Sequence, residues 1–194
     1  MQERKAEISR VTGETNVHIS LDLDGTGKAQ IHTGIGFFDH MLISLSFYAG
    51  IRLELACKGD LHVDAHHTIE DCGIVLGQAI RASLGEKMGI KRFASEFIPM
   101  DEALAFCALD ISGRPFLDFN ADFPQEMIGD WPTCMCEEFF RAVAYNAGIT
   151  LHMKLHAGRN SHHMTEALFK AFGGALKEAV RITGEGVMST KGII

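Results

Sequence analysis

Asp64-Ala65-His66-His67-Thr68-Ile69-Glu70-Asp71, with its echo Asn160-Ser161-His162-His163-Met164-Thr165-Glu166, decides how this chain is built. Both stretches read His-His-x-x-Glu and both open an amphipathic segment. On a helix, residues four apart share a face, so His66 and Glu70 can grip one ion, and His162 with Glu166 repeats the pair. His67 and His163 each lie one residue, about 100° of helix rotation, round from the first imidazole and point towards a different ion. Two imidazole–carboxylate clips, each with a divergent second imidazole, suit two divalent ions shared between the copies. One such pair alone would read as polar residues capping a helix start. Two copies at matched positions argue for metal binding on a duplicated chain.

The flanking sequence repeats in the same order. Residues 4–12 and 16–23 alternate as strands joined around Gly13-Glu14-Thr15, and the Gly25-Thr26-Gly27 turn leads into a third strand at 28–33, with hairpin character at the glycines. Apolar residues at helical spacing predict a helix over 36–49 stopped by Gly50, then a strand over 51–57, the Lys58-Gly59-Asp60 turn and a helix from about 68 to 88. The remainder predicts strands near 94–99, 103–111 and 115–121, a helix over 133–147, a strand over 149–155 and a helix to about 182. Leu21-Asp-Leu-Asp-Gly25 aligns with Leu109-Asp-Ile-Ser-Gly113, and Ala49-Gly-Ile-Arg-Leu53 with Ala147-Gly-Ile-Thr-Leu151. The expectation is an α+β fold in which a β-β-β-α-β-α unit is used twice, as one domain over 1–194 with pseudo-repeats 1–90 and 91–194. The same registers pair Glu14 with Glu102, and His40 with Glu138; the last two could both point at a metal.

Composition narrows the function classes. With 46% hydrophobic and 22% charged residues, the 194-residue chain can bury a sizeable core. Its net charge of −7 gives no global support to a nucleic-acid or anionic-membrane partner, while local basic residues could still take a small anion. The five cysteines read as reduced core residues, with Cys134-x-Cys136 as packing. The charged start, Met1 to Arg10, does not resemble a secretory signal, and no apolar run reaches membrane-spanning length, so a cytoplasmic protein is expected.

Five stretches in order resemble the imidazoleglycerol-phosphate dehydratase family over essentially the whole chain. They are Gly34-Ile-Gly-Phe-Phe-Asp-His-Met-Leu42, Asp64-Ala-His-His-Thr-Ile-Glu-Asp71, Asp110-Ile-Ser-Gly-Arg-Pro115, Asn160-Ser-His-His-x-x-Glu166 with Phe169-Lys-Ala-Phe172, and Ser189-Thr-Lys-Gly192. The resemblance implies a duplicated fold like the second domain of ribosomal protein S5. It also implies two manganese ions per active site and a homo-oligomeric 24-subunit shell with active sites between subunits. One manganese would take His40, His67, His162 and Glu166; the other would take His66, Glu70, His163 and position 138, where many relatives have histidine and this chain has Glu138. Arg92, Arg114, Ser189 and Lys191 match the family's phosphate site, with Thr190 as a conservative change. Ser44 and Tyr48 stand where many relatives carry glutamine and histidine.

The implied reaction is loss of water from imidazoleglycerol phosphate to give imidazoleacetol phosphate, through an imidazolate held by the metals. Glu14 is the candidate acid/base, or else an exposed turn carboxylate. Lys170 orients substrate or polarises metal-bound water, or else pairs with Glu166 at i, i+4. Asp39, Asp64 and Asp71 are expected to hold imidazole tautomers. A dinuclear metallohydrolase, an RNA-associated module and a metal buffer are the competing readings; the acidic charge opposes the second, and the phosphate-type residues are superfluous to the third.

Overall fold

In the computed structural model, residues 3–194 are described. The first unit runs β1 (Lys5–Val11), β2 (Thr15–Asp22), β3 (Ala29–His32), α1 (Gly36–Ala49), β4 (Arg52–Gly59) and α2 (His66–Leu84). The second runs β5 (Phe93–Met100), β6 (Ala103–Asp110), β7 (Phe116–Asn120), then a short hairpin β8 (Met127–Ile128) and β9 (Trp131–Pro132), then α3 (Met135–Ala147), β10 (Thr150–Ala157) and α4 (Ser161–Ala179). Apart from that hairpin, the β-β-β-α-β-α order occurs twice, as expected.

Each unit makes one four-stranded sheet with the same topology, β1-β2-β4-β3 and β5-β6-β10-β7. Buried residues alternate along the strands, Val17, Ile19 and Leu21 on β2 and Ala105, Cys107 and Leu109 on β6, so one face of each sheet is apolar. The third strand is not hairpinned to the second. β3 and β7 instead pair in parallel with β4 and β10, which insert between the second and third strands after a helical crossover. Gly25 makes room for this insertion, since a Cβ there would meet the Arg52 backbone nitrogen at 2.2 Å. Helix α2 stops at Leu84 instead of 88, where Gly85 turns the chain at φ 50°, and α4 stops at Ala179.

Helix packing is crosswise. α2 lies on β1 and β2 but packs against α3 of the other unit, and α4 lies on β5 and β6 but packs against α1. The equivalent glycines Gly77 and Gly173 permit this: Cβ atoms there would stand 2.6 Å from the Val143 carbonyl and 2.8 Å from the Leu45 carbonyl. Phe139 stacks on Phe169 at 5.1 Å, and the β9 residue Trp131 fills the gap beside Phe38 at 5.1 Å, so both units share one core. Cys72, Cys107 and Cys136 are buried in it; Cys134, expected to pack, is exposed at the N-cap of α3. No described helix is long and apolar enough to cross a membrane.

Candidate active site

Both His-His-x-x-Glu motifs begin helices. Asn160 caps α4 by accepting from the His162 backbone N–H. In α2 the N-cap is Ala65, with no side-chain cap, and Asp64 just before it accepts from the His66 backbone N–H at 2.8 Å, so each motif is fixed by a polar residue two positions before its first histidine. Within the clips, His66 Nε2 lies 3.7 Å from Glu70 Oε2 and His162 Nε2 lies 3.3 Å from Glu166 Oε2. Crosswise packing then brings His40 of α1 to the second clip, 3.7 Å from Glu166 Oε2. Ligand atoms of His40, His162 and Glu166 all lie within 4.8 Å of one another. Donors that each approach a divalent ion at roughly 2.0–2.6 Å must stand within about twice that distance, so this set fits one.

The two oxygens of Glu166 face different partners. Oε1 accepts a 2.8 Å ion pair from Lys170, which also lies 5.4 Å above the Tyr48 ring, leaving Oε2 for the imidazoles. Burial raises the Glu166 pKa, but the Lys170 hydrogen bond and charge, helped by His40 and His162, carry it below its usual range. For Lys170, burial pulls downward and is outweighed by Glu166, so the ammonium is held charged. The i, i+4 pairing anticipated for Lys170 is therefore present.

The second imidazoles are held by carboxylates from outside the motifs. His67 Nδ1 meets Asp60 at 3.0 Å, and that hydrogen bond, acting against desolvation and with Glu14 adding its charge, raises its pKa. His163 Nδ1 meets Glu102 at 2.8 Å, which likewise raises His163. Glu102 also accepts from the backbone N–H groups of Arg159 and Asn160 and is driven down to about 2, chiefly by His163. Glu14 stands at the equivalent turn with Oε1 3.6 Å from His67 Nε2. The expected tautomer holders are otherwise engaged: Asp39 accepts from Thr33, Asp64 from the His66 backbone, and Asp71 from Thr15. Asp60 carries no sequence signal for this role, because it lies in a turn seven residues before His67 with no helical spacing to mark it.

Neither four-ligand set is gathered within one chain. His67 is absent from the His40–His162–Glu166 group, and among the described residues no other such group of three forms. Glu138 sits on α3, which packs on α2, but its carboxylate lies 3.6 Å from Arg141 Nε. Arg92, at φ 74°, precedes β5; its guanidinium forks onto Asp110 at 2.7 and 3.1 Å, and Nη1 donates to the Met188 carbonyl at 2.7 Å. That contact draws the segment bearing Ser189, Thr190 and Lys191 beside Arg92, while Arg114 stands exposed 4.0 Å from Asp110. This group lies at the far end of α4 from His162, because Arg92 N donates to the Ala179 carbonyl. Nineteen residues of helix put the two ends roughly 28 Å apart. Ser44 is buried and Tyr48 covers Lys170.

Fold and site together define a duplicated α+β protein carrying paired histidine–carboxylate clips, one of which converges with His40 into a group that could hold a metal ion. The family model for imidazoleglycerol-phosphate dehydratase matches residues 33–176. The chain is 57% identical over 194 residues to the imidazoleglycerol-phosphate dehydratase of Acetivibrio thermocellus, covering 99% of this chain and 100% of that one. It is 54% identical to that of Desulfitobacterium hafniense, with 100% of each covered. Among solved structures, the Staphylococcus aureus dehydratase superposes with a TM-score of 0.83 at 41% identity, covering 93% of this chain and 99% of that one. The Pyrococcus furiosus dehydratase gives 0.84 at 35% identity, covering 96% and 100%. The chain belongs to the imidazoleglycerol-phosphate dehydratase family. It is accordingly a hydro-lyase of histidine biosynthesis.

Proposed function

We propose that the chain dehydrates D-erythro-imidazoleglycerol phosphate to imidazoleacetol phosphate with two manganese ions per active site, in the cytoplasm. The observation that carries the reading is the His40–His162–Glu166 group, whose donor atoms converge within 4.8 Å. Imidazole nitrogen with carboxylate oxygen suits manganese, and the Glu166 oxygen turned away from Lys170 is free to bind. His66 with Glu70 is the matching clip for the second ion, and His67, His163 and Glu138 are the proposed remaining ligands. Bound manganese would supply Lewis acidity at the substrate's imidazole nitrogens.

The chain's own residues do the rest. Glu14 moves a proton at the substrate side chain, where no carbonyl adjoins the carbon that loses it. Lys170 holds Glu166 in position through its 2.8 Å bond. Arg92, Arg114, Ser189, Thr190 and Lys191 bind the phosphate: the exposed Arg114 offers its guanidinium fork, while Arg92, its own fork held by Asp110, contributes charge and anchors the segment that bears the other three. One chain keeps this group at the opposite end of α4 from its clip, farther than so small a substrate reaches, which supports an active site completed between subunits of a homo-oligomer of 24. Neither nucleic acid nor membrane enters this reading.

Turnover of imidazoleglycerol phosphate by metal-stripped protein, with and without manganese, tests it. Manganese-dependent imidazoleacetol phosphate is the expected product. Full turnover without metal, or recovery only with zinc, iron or cobalt, would remove manganese from the proposal.

A further inference from the structure

We infer, taking Glu14 as the acid/base proposed above, that Asp71 is its positioning residue: a buried anchor that holds the β1–β2 turn and so sets the Glu14 carboxylate beside His67. Asp71 follows Glu70 on α2 but is turned into the protein and is only 6% exposed. Its Oδ2 accepts the hydroxyl of Thr15, at the start of β2, and lies 2.5 Å from Nη1 of Arg10, near the end of β1. One carboxylate oxygen thus ties down both strands that flank the turn. Within the turn, Thr12 Oγ1 accepts the backbone N–H groups of Glu14 at 3.1 Å and Thr15 at 2.9 Å. The backbone at residue 14 is therefore fixed from below and within. Its carboxylate remains 56% exposed, at 3.6 Å from His67 Nε2.

The second unit supplies an internal comparison. At the positions equivalent to Arg10, Thr15 and Asp71 it has Ile98, Ala103 and Ala167, and the two alanines are fully buried. Its turn is secured from the opposite side, because Glu102 itself accepts from Arg159, Asn160 and His163. Two copies of one turn are thus fixed by opposite means. The second engages its glutamate as a structural hydrogen-bond acceptor; the first has a buried anchor that leaves its glutamate carboxylate free of hydrogen bonds, within ion-pair distance of His67. Because the same fold packs an apolar trio at these places, the Arg10–Thr15–Asp71 network is not needed for packing. Replacing such a network with apolar residues is often neutral or stabilising, which points its role at the turn.

The test is to transplant the second unit's residues into the manganese-loaded, assembled enzyme as Arg10→Ile, Thr15→Ala and Asp71→Ala together, alone and with Glu14→Gln. Expected are an unchanged or higher melting temperature, unchanged manganese content and faster hydrogen exchange at the Glu14 amide. The kcat should fall by about 10²-fold, the scale of a misplaced catalytic group, with KM changed by less than about threefold. In the Glu14→Gln background the transplant should cost nothing more. An equal loss in both backgrounds overturns the inference, as does a transplant with full kcat while Glu14→Gln is slow; both leave Glu14 as the acid/base. Full activity of Glu14→Gln alone instead removes the Glu14 role and the inference with it. Should the transplant fail to assemble, Asp71→Asn, which can still accept from Thr15, is expected to lower kcat by about tenfold with the same dependence on Glu14.

Discussion

Two neighbouring glycines on α4 should respond oppositely to the same substitution. A Cβ on Gly173 would stand 2.8 Å from the Leu45 carbonyl oxygen and 3.2 Å from the Ala49 nitrogen, both α1 backbone atoms, and 3.1 Å from Tyr48 Cβ. A Cβ on Gly174 would meet only the Glu96 side chain, no closer than 3.1 Å, and that side chain can move. Either alanine gains about 0.8–1 kcal/mol of helix propensity. At Gly173 overpacking costs about 1–3 kcal/mol, and backbone against backbone places it in the upper half of that range. Gly173→Ala is therefore expected to destabilise by about 1–2 kcal/mol, lowering the melting temperature by about 2–8 °C in a chain of this size. Gly174→Ala should leave it unchanged or raise it by about 2–4 °C. Because α1 carries His40 and α4 carries His162 and Glu166, Gly173→Ala should also weaken metal uptake, and Gly174→Ala should not. Circular-dichroism melts of metal-stripped protein, followed by manganese titration calorimetry, read both effects. Equal shifts in the two variants would refute the idea that close α1–α4 approach at Gly173 sets the His40–His162–Glu166 group.

Lys170→Met should lower manganese affinity by about 10–100-fold, as loss of a ligand's supporting partner does, while Lys170→Arg should retain more; calorimetry that finds no change would deny Lys170 its hold on Glu166. Mixing His162→Ala with Arg92→Ala chains during reassembly should produce activity that neither variant has alone, whereas an inactive mixture would contradict sites shared between subunits. The Arg4 hydrogen bond, opposed by slight burial and aided by charge, holds Asp24 below 3.8. Since the folded value is the depressed one, the stabilisation is present above the unfolded value and is lost as pH falls through the folded one. The melting-temperature gap between wild type and Asp24→Asn should thus close below about pH 3.8, and a gap that widens there would contradict the pairing.

The order of elements was legible because strand alternation and helical periodicity are local. Matched offsets at His66/His162 and Ala49/Ala147 exposed the duplication without any contact information. Register and neighbour choice were not local. Nothing in residues 23–33 marks β3 as the partner of β4 over β2, since that depends on a crossover closed by α1. The β8–β9 hairpin hides in a segment too short to show a period, although Trp131 in it is fully buried. For the site, fixed helical spacing identified both clips and the Lys170–Glu166 pair. A turn carboxylate such as Asp60 has no period to mark it, and the spacing that expects Asp71 at an imidazole does not show that its face of α2 points to Thr15 and Arg10.

Crosswise packing explains why a duplicated chain need not yield two equal metal groups. Each first-position helix packs on the clip-bearing helix of the other unit, which brings His40 to Glu166 on α4, whereas Glu138 on α3 meets Arg141. His40 finds Glu166 with its other oxygen already occupied by Lys170, and the group converges. Glu138 sits within a helical turn of Arg141, which pairs with both Glu137 and Glu138 and offers that carboxylate a competing partner. Position 166 + 4 is a lysine, whereas position 70 + 4 is Ile74, so the first clip lacks the cation that orients the second. The asymmetry at the two turns runs the other way: the Glu14 carboxylate only approaches His67, at 3.6 Å, while Glu102 accepts three hydrogen bonds. The repeated fold thus presents the same positions twice with different residues at a handful of them: one copy gathers a His40–His162–Glu166 group that could hold an ion, and the other leaves its turn glutamate 56% exposed.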